Sequence, residues 1–402
     1  MSPYKHTLTE KRYRVPFILV TMLFFLWGFA RAILDVLNKH FQDELHITIT
    51  QSAWIQVTTY LGYFLMAIPA GIFINRYGYR RGVVFGLMLF GLGALLFIPA
   101  SAVATFNAFL LALFVIGCGL TFLETAANPY VTELGDRDTA SSRLNMSQTF
   151  NGMGCFLATL LVGQFLFRTD GSSGNVAVPY TVIGIIVLLI ALLFTRVDLP
   201  EIAHDNDQST GKGNLRKLWS HKWFVMGLFA LLAYEVAEIS INSYFVNFVT
   251  GMGLMDKNSA SLVISLALVI FMVGRFVGSW IMRYVRAETM LTWCGVGTVV
   301  CMTTVLLNLG TVSVVALIAN YLFEAIMFPT IFSLAVRGLG GLTKSASSLL
   351  MMTPVGGCGF LLMGYVADKT NLVTPFFIPL VGFCIVLVYA FLRMMSHDDA
   401  EE

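Results

Sequence analysis

Long apolar stretches recur along almost the whole chain, and this feature restricts the possible folds more than any other. A membrane-spanning helix needs roughly 17–25 predominantly apolar residues, and twelve stretches of about that length follow one another. They cover residues 16–38, 52–75, 82–100, 105–130, 144–167, 177–195, 222–250, 258–283, 288–308, 311–335, 345–366 and 373–394. The sequence therefore predicts an all-α, polytopic membrane protein with twelve transmembrane helices.

The composition agrees with a chain that is mostly surrounded by lipid. Charged residues make up 12% of the chain and hydrophobic residues 57%, whereas soluble proteins usually contain about 25% charged residues. The formal net charge is +2, and no basic tract indicates a nucleic-acid partner. The six cysteines all lie in apolar stretches without a Cys-x-x-Cys pair, so we interpret them as packing residues and not as disulfide or metal ligands.

The loops indicate an orientation in the membrane. Lys and Arg residues are concentrated in cytoplasmic loops, and the two sets of alternating loops hold about nineteen and about four of them. This bias predicts an even number of spans with both termini in the cytoplasm. The segment from Pro16 to Leu37 is longer than a typical signal-peptide core and is followed by no small-residue cleavage site. We therefore predict that this segment is the first span.

One long hydrophilic connection, residues 196–221, divides the chain near its midpoint. We predict an N-terminal six-helix bundle at 1–195, a cytoplasmic linker at 196–221 and a C-terminal six-helix bundle at 222–402. The halves also resemble each other, because Glu124-Thr-Ala-Ala-Asn-Pro129 in the fourth stretch recurs as Glu324-Ala-Ile-Met-Phe-Pro329 in the tenth. Such duplication is typical of transporters that bind their substrate between the repeats near the middle of the membrane.

Seven ionisable side chains interrupt the apolar stretches. Each costs at least roughly 2.5–3.5 kcal/mol near the bilayer centre, so we expect them to face a polar cavity or one another. They are Arg31, Asp35, Glu124, Glu235, Glu238, Arg275 and Glu324. Burial disfavours the charged form of a carboxyl group, and a carboxyl group that gains and loses a proton within the membrane provides proton coupling. All six histidines lie in predicted loops or tails, so the expected proton carrier is a carboxylate.

The spacing of these residues places several of them on common helix faces. Arg31 and Asp35 are four residues apart, and Glu235 and Glu238 are three apart, so each pair shares a face. Some of the acids can instead hold helices together through hydrogen bonds, which is the alternative for any single one. We interpret Arg275, in a Gly-Arg-Phe-Val-Gly segment, as a structural residue and not as a ligand.

Amide side chains form a polar stripe in the fifth stretch. Asn145, Gln148 and Asn151 repeat every three residues, and Asn128 lies in the fourth stretch. Amides both donate and accept hydrogen bonds, which suits sugar hydroxyls. Interhelical bonding is the alternative, and it is favoured for Asn145 at the helix start. Aromatic residues that can stack on a sugar ring or anchor the helices are Trp27, Trp54, Tyr60, Tyr234 and Tyr244.

Four segments closely resemble the fucose/glucose/galactose–proton symporter family of the major facilitator superfamily. They are Phe25-Leu-Trp-Gly-Phe29 with Asp35, Leu123-Glu-Thr-Ala-Ala-Asn-Pro129, Arg143-Leu-Asn-Met-Ser-Gln-Thr-Phe-Asn151 and Phe328-Pro-Thr-Ile-Phe-Ser333. The resemblance covers nearly the whole chain. It implies two pseudo-symmetric six-helix bundles and a proton-driven sugar importer that works by alternating access. It also implies that Asp35 and Glu124 serve substrate binding and proton coupling and that Asn151 assists sugar binding.

The chain departs from this family at Arg31, where its members usually have asparagine. One hypothesis is that Arg31 keeps Asp35 ionised, which leaves Glu124 as the principal proton carrier. The other is that Arg31 binds a substrate carboxylate, which makes the substrate an acidic sugar such as a uronate or a sialic acid. Glu324 also replaces a residue that is often neutral in related sequences, so it is a possible partner of Arg31.

These observations give a specific set of predictions. Proton coupling is assigned to Asp35 and Glu124, and the driving force is the proton gradient without a cofactor. The predicted partners are a sugar, protons and the lipid bilayer, with no nucleic acid, and we expect a monomer in a bacterial inner membrane. The predicted substrate-binding residues are Arg31, Asn128, Gln148, Asn151, Tyr234, Glu238 and Glu324.

Four other functions are weighed against this prediction. A sodium-coupled sugar carrier is compatible with the family resemblance, whereas the polar stripe argues against an exporter of apolar drugs. The chain is not predicted to be an enzyme, because it lacks a Ser/His/Asp set, metal-ligand spacing and a glycine-rich phosphate loop. A channel is the fourth, and the duplicated carboxylate helices favour alternating access over it.

Overall fold

The computed structural model describes residues 8–44, 54–103, 105–166, 177–196, 199 and 216–398. Every regular element in this part of the chain is helical. The first half contains α1 (Arg14–Glu44), α2 (Trp54–Leu95), α3 (Phe97–Val103), α4 (Phe106–Glu133), α5 (Ala140–Leu166) and α6 (Ala177–Arg196). The second half contains α7 (Lys222–Gly251), α8 (Lys257–Ile281), α9 (Ala287–Leu306), α10 (Thr311–Glu324), α11 (Met327–Val336), α12 (Thr343–Leu350), α13 (Gly359–Lys369) and α14 (Phe377–Asp398).

Several spans are interrupted or joined, so helices and spans do not correspond one to one. α2 contains the second span and most of the third, because the chain reverses at Gly78, whose φ of 86° suits a glycine. α10 and α11 together form the tenth span. α12, a 3₁₀ turn at Thr353–Cys358 and α13 together form the eleventh.

Within the described residues, ten helical segments are long and apolar enough to cross a membrane. One of them, Val57–Val103, has 47 residues and includes the reversal at Gly78, so it accounts for two spans. The 27-residue α5 adds a further span, although its polar stripe makes it less apolar than its neighbours. These helices agree with the predicted twelve.

Each half packs mainly within itself. α1 packs against α5, and α2 packs against α4 and α6, while α14 packs against α7 and α9. The halves meet where α5 contacts α8 and α11 and where α2 and α4 contact α12. Most of the predicted linker at 196–221 lies outside the described residues, so the boundaries of the two halves stay predictions.

Two glycines allow α1 and α5 to approach closely enough to place polar side chains beside each other. A Cβ atom on Gly154 would collide with the carbonyl oxygen of Phe25, and one on Gly28 would collide with that of Asn151. Neither position has room for a side chain. The crossing brings the amide stripe of α5 next to the α1 residues that precede Asp35.

Candidate functional site

A cavity of about 900 Å³ lies between the two halves, within the size range of ligand sites. α1, α2, α4 and α5 form one wall, and α7 and α8 form most of the other. Its polar lining includes Arg31, Glu124, Gln148 and Asn151 from the first half and Glu235, Glu238, Asn242 and Arg275 from the second. Two guanidinium groups and three carboxyl groups therefore face one space.

Glu124 is held in this cavity by a tyrosine of a neighbouring helix. The hydroxyl of Tyr63 on α2 donates a hydrogen bond of 2.5 Å to Oε1 of Glu124 on α4. Glu124 is 5% exposed and Tyr63 is 4% exposed, and both line the cavity. A carboxyl group that is shielded from lipid, faces a cavity and has a fixed hydrogen-bond donor can exchange a proton with the cavity while keeping its position.

Arg31 extends into the cavity from α1. Its Nη2 atom lies 3.4 Å from the hydroxyl of Tyr60, and its guanidinium carbon lies 6.0 Å from the centre of that ring. Among the described residues, the carboxyl groups of Glu235 and Glu124 interact with it electrostatically. Position 35 belongs to α1, but the Asp35 side chain lies outside the described part of the structure, so the predicted pair of Arg31 with Asp35 stays a prediction.

The predicted amides Gln148 and Asn151 both line the cavity. Nδ2 of Asn151 donates to the carbonyl oxygen of Phe24 at 3.2 Å, which fixes the amide against α1. Oε1 of Gln148 accepts a long hydrogen bond of 3.5 Å from Nη1 of Arg275, so this contact links the two halves across the cavity. Trp27 is also part of the lining.

The second half contributes a row of polar side chains from α7. Glu235, Glu238 and Asn242 all line the cavity, in agreement with their spacing of three and four residues on one helix face. Oδ1 of Asn242 is buried and has no hydrogen-bond partner among the described atoms, while the side chain as a whole is part of the cavity lining.

Arg275 bonds to a backbone group of the second half and also faces the cavity, so its interpretation as a structural residue and not a ligand stays a prediction. Its Nε atom donates to the carbonyl oxygen of Ala325 at 2.9 Å, and its guanidinium carbon lies 4.3 Å from the centre of the Phe271 ring. Arg275 also interacts electrostatically with Glu238. Its side chain therefore joins the α10–α11 break to the cavity wall.

Three predicted ligands are not among the residues that line this cavity, and all three are fully buried. Nδ2 of Asn128 lies 3.5 Å from the sulfur of Met351, at the contact between the halves. The hydroxyl of Tyr234 lies 3.4 Å from the backbone oxygen of Glu324. Oε2 of Glu324 accepts a hydrogen bond of 2.6 Å from Asn320. The three side chains make contacts between or along helices, which the sequence pattern does not distinguish from contacts with a substrate.

Glu324 stands where related sequences often have a neutral residue, which suggested that it pairs with Arg31. The described contacts of Glu324 do not include Arg31. The charged groups that interact with Glu324 are Glu238 and Arg275. Of the other aromatic candidates, Trp54 is 57% exposed on the outside of the bundle, and Tyr244 is buried away from the cavity. Tyr60 lines the cavity.

Several cavity residues were not assigned to the site from the sequence. Glu235 was identified as a buried acid but not as a site residue, although its spacing from Glu238 was a sufficient signal. Asn242 continues the same row. Tyr63 had a weaker signal, its position three residues after Tyr60, because its partner Glu124 is distant in sequence. Among the further unassigned lining residues are Phe156, Phe271, Met272 and Phe328.

The halves are closed at one end of the bundle, which we call the basic face. It carries Arg80, Arg143, Arg283, Arg286, Arg337 and Lys344 at or near the helix ends. Neutral side chains join the halves near this end: Asn75 donates to Ser345 at 2.6 Å, and Asn145 donates to Thr330 at 3.2 Å. Ser142 donates to the backbone oxygen of Ser279 at 2.6 Å, and Ser141 bonds to Ser333.

Residues 20–358 match the sequence profile of the Major Facilitator Superfamily. The chain is 33% identical to a glucose/galactose transporter of Brucella abortus over 98% of this chain and 97% of that protein. It is also 33% identical to the L-fucose-proton symporter of Escherichia coli over 96% of this chain and 95% of that protein. The chain belongs to the major facilitator superfamily. Within it, the predicted membership of the fucose/glucose/galactose–proton symporter family is confirmed.

A solved structure of a major facilitator superfamily transporter, FucP, in the outward conformation has the same fold. The TM-score is 0.86 at 32% identity, and the match covers 95% of this chain and 99% of that structure. The FucP fucose:proton symporter of Escherichia coli matches in a second crystal structure with a TM-score of 0.85. These matches confirm the predicted major facilitator fold, with two six-helix bundles. Because its relatives are transporters, the chain is a transporter and not an enzyme, as predicted.

Proposed function

We propose that this protein is a proton-coupled symporter that imports a neutral monosaccharide by alternating access. The strongest support is the position of Glu124, which faces a cavity large enough to hold a sugar, with Tyr63 donating to it at 2.5 Å. The relatives named as a glucose/galactose transporter and an L-fucose-proton symporter have substrates of this class. Protons and the sugar are then the two species that the cavity binds.

Amides and aromatic rings supply the sugar contacts in this proposal. Gln148, Asn151 and Asn242 line the cavity and can donate to and accept from hydroxyl groups. Glu238 accepts from further hydroxyls, and Trp27 presents an apolar edge to the sugar ring. Asn128, Tyr234 and Glu324 are left out of the proposed sugar contacts because they do not line the cavity.

Glu124 acts as a proton carrier, with Asp35 as a second coupling acid on the basis of the family resemblance. When Glu124 is ionised, the Tyr63 hydroxyl donates to it. When Glu124 is protonated, its charge is removed before the cavity loses contact with water. The proton gradient then drives the loaded carrier in the direction of import.

A neutral sugar is favoured over an acidic one by the surroundings of Arg31. The guanidinium lies near enough to the carboxyl groups of Glu235 and Glu124 to interact with them electrostatically, so a substrate carboxylate would have to compete with these two acids. An acidic sugar is the second candidate, because Arg31 is exposed to the cavity and guanidinium groups bind carboxylates strongly.

The basic face is assigned to the cytoplasm of a bacterial inner membrane, because Lys and Arg residues concentrate on that side. Both termini then lie in the cytoplasm, and the predicted halves 1–195 and 222–402 are joined there by the linker 196–221. A closed basic face leaves the cavity open to the opposite side. We take the monomer as the transporting unit because the cavity is formed by one chain.

Accumulation of sugar in proteoliposomes tests this function. With the purified protein and an imposed inward proton gradient, we expect labelled glucose, galactose or fucose to accumulate above its external concentration. A proton ionophore should abolish the accumulation. Accumulation that requires a sodium gradient and is unaffected by the ionophore would show a sodium-coupled carrier instead.

A further inference from the structure

Both repeats place a proline five residues after a membrane-embedded glutamate, at Pro129 after Glu124 and at Pro329 after Glu324. A proline has no amide hydrogen, so the carbonyl group four residues earlier loses its usual partner in the helix. The affected carbonyls belong to Thr125 and Ala325, each directly after the glutamate. Such groups need another donor when they are buried.

The two carbonyls receive their donors from different places. Ala325 accepts from Nε of Arg275 on α8 at 2.9 Å, a contact within the second half. Thr125 accepts from the hydroxyl of Ser347 on α12 at 2.9 Å, a contact between the halves. Thr125 and Ser347 are both fully buried. The first bond can persist in every state of the transporter, whereas the second is lost when α4 and α12 separate.

We propose that Ser347 is a positioning residue that stabilises closure of the basic face by satisfying the carbonyl that Pro129 leaves free. Because this carbonyl belongs to the residue after Glu124, closure of the basic face is linked to the helix segment that carries the cavity acid. Closing the halves buries this carbonyl, and burial without a partner is costly, so the Ser347 hydroxyl lowers the free energy of the closed state. The inference rests on the proposed alternating-access function and identifies one contact that sets its equilibrium.

The test is a double-mutant cycle read by distance, not by transport. Nitroxide labels at Tyr77→Cys and Tyr284→Cys, in full-length protein whose six native cysteines are replaced, report the separation of the halves at the basic face. These positions are 40% and 57% exposed. We expect Ser347→Ala to lower the ratio of the short-distance to the long-distance population about tenfold.

In a Pro129→Ala background, the amide of residue 129 can donate to Thr125, so Ser347→Ala should change the ratio less than about twofold. Ser347→Thr keeps a hydroxyl and should retain most of the original ratio. Ser348→Ala is the matched control, since Ser348 also packs against the first half at Gly71 but its hydroxyl bonds to the Ser345 carbonyl within its own helix at 2.7 Å, and it should change the ratio much less than Ser347→Ala does.

Two results would overturn the inference. One is that Ser347→Ala leaves the ratio of the two populations unchanged. The other is that Ser347→Ala changes this ratio equally with and without Pro129→Ala. The labels report the equilibrium without any sugar or proton gradient. If the double-mutant cycle gives the expected populations but sugar does not accumulate in proteoliposomes, the proposed substrate is contradicted and the role of Ser347 is not. If sugar accumulates but the double-mutant cycle does not give the expected populations, only the role of Ser347 is contradicted.

Discussion

At the scale of single residues, each charged side chain of the cavity has contacts that limit what it can do. Glu124 has one described donor, Tyr63, so a change in its protonation alters a single well-defined contact. Arg275 is occupied by the Ala325 carbonyl and is less free to move. The described hydrogen bond of Arg31 is the 3.4 Å contact with Tyr60, which is longer than the bond that holds Arg275.

Replacing Glu124 by glutamine should separate sugar exchange from proton coupling. The amide keeps the size of the side chain and can still bond to Tyr63, but it cannot carry a proton. We expect Glu124→Gln proteoliposomes to exchange labelled for unlabelled sugar while failing to accumulate sugar in a proton gradient. Glu133→Gln, on the same helix but outside the cavity lining, is the control and should accumulate normally. Normal accumulation by Glu124→Gln would remove it from the coupling role.

Removing the Arg31 guanidinium should reveal the charge class of the substrate. With a neutral sugar, Arg31→Ala leaves no substrate carboxylate unpaired, so we expect thermal stabilisation by glucose, galactose or fucose to persist. Stabilisation by glucuronate or a sialic acid is expected to be absent in both proteins. A large stabilisation of the wild type by an acidic sugar, lost in Arg31→Ala, would support the second candidate.

At the scale of helices, the crossing of α1 and α5 fixes the position of the amides. Its two glycines leave no space for a Cβ atom, and Asn151 bonds to α1 at the same level. Small residues at such crossings are typical of membrane helices, because they let backbones approach closely. The geometry of the sugar site thus depends on residues that have no polar group of their own.

A methyl group at Gly154 should separate α1 from α5. Overpacking of this kind usually costs about 1–3 kcal/mol, so we expect Gly154→Ala to lower the thermal stability in detergent and to weaken sugar binding. Gly364→Ala on α13 is the control, since a Cβ atom there meets nothing within 4 Å. Equal stability of the two variants, each measured by a melting curve, would contradict the close crossing.

The sequence was sufficient to predict the helices, their number and the family, because apolar length and local motifs depend on neighbouring residues. It was also sufficient for Glu124, Gln148, Asn151, Arg31 and Glu238 as cavity residues. It could not separate Glu324 from Glu238, since both are acids within spans and only the packing of α10 against α8 and α9 decides which one faces the cavity. Contacts such as Tyr63 with Glu124 join residues that are far apart in the chain and have no local signal.

At the scale of the whole molecule, neutral hydrogen bonds between the halves contribute to closure at the basic face. Individual bonds between neutral groups contribute only about 0.5–1.5 kcal/mol each, so a small set can hold one state and still be broken during a transport cycle. The proposed coupling then requires only that binding of sugar and proton together stabilises the contacts of one state of the transporter more than those of the other.

The orientation of the bundle can be measured directly. In a background without native cysteines, Tyr284→Cys places a thiol at the basic face, and Leu309→Cys places one in the turn between α9 and α10 at the opposite end. We expect a membrane-impermeant maleimide to label Leu309→Cys in right-side-out vesicles and Tyr284→Cys in inside-out vesicles. The reverse pattern would place the basic face outside the cell.

Sugar-induced proton movement tests the central claim most directly. When glucose, galactose or fucose is added to lightly buffered, de-energised cells or right-side-out vesicles that contain the protein, entry of sugar with protons should make the external medium more alkaline. The change should be absent without the protein and in Glu124→Gln. Entry of labelled sugar with no change in external pH would contradict proton-coupled symport.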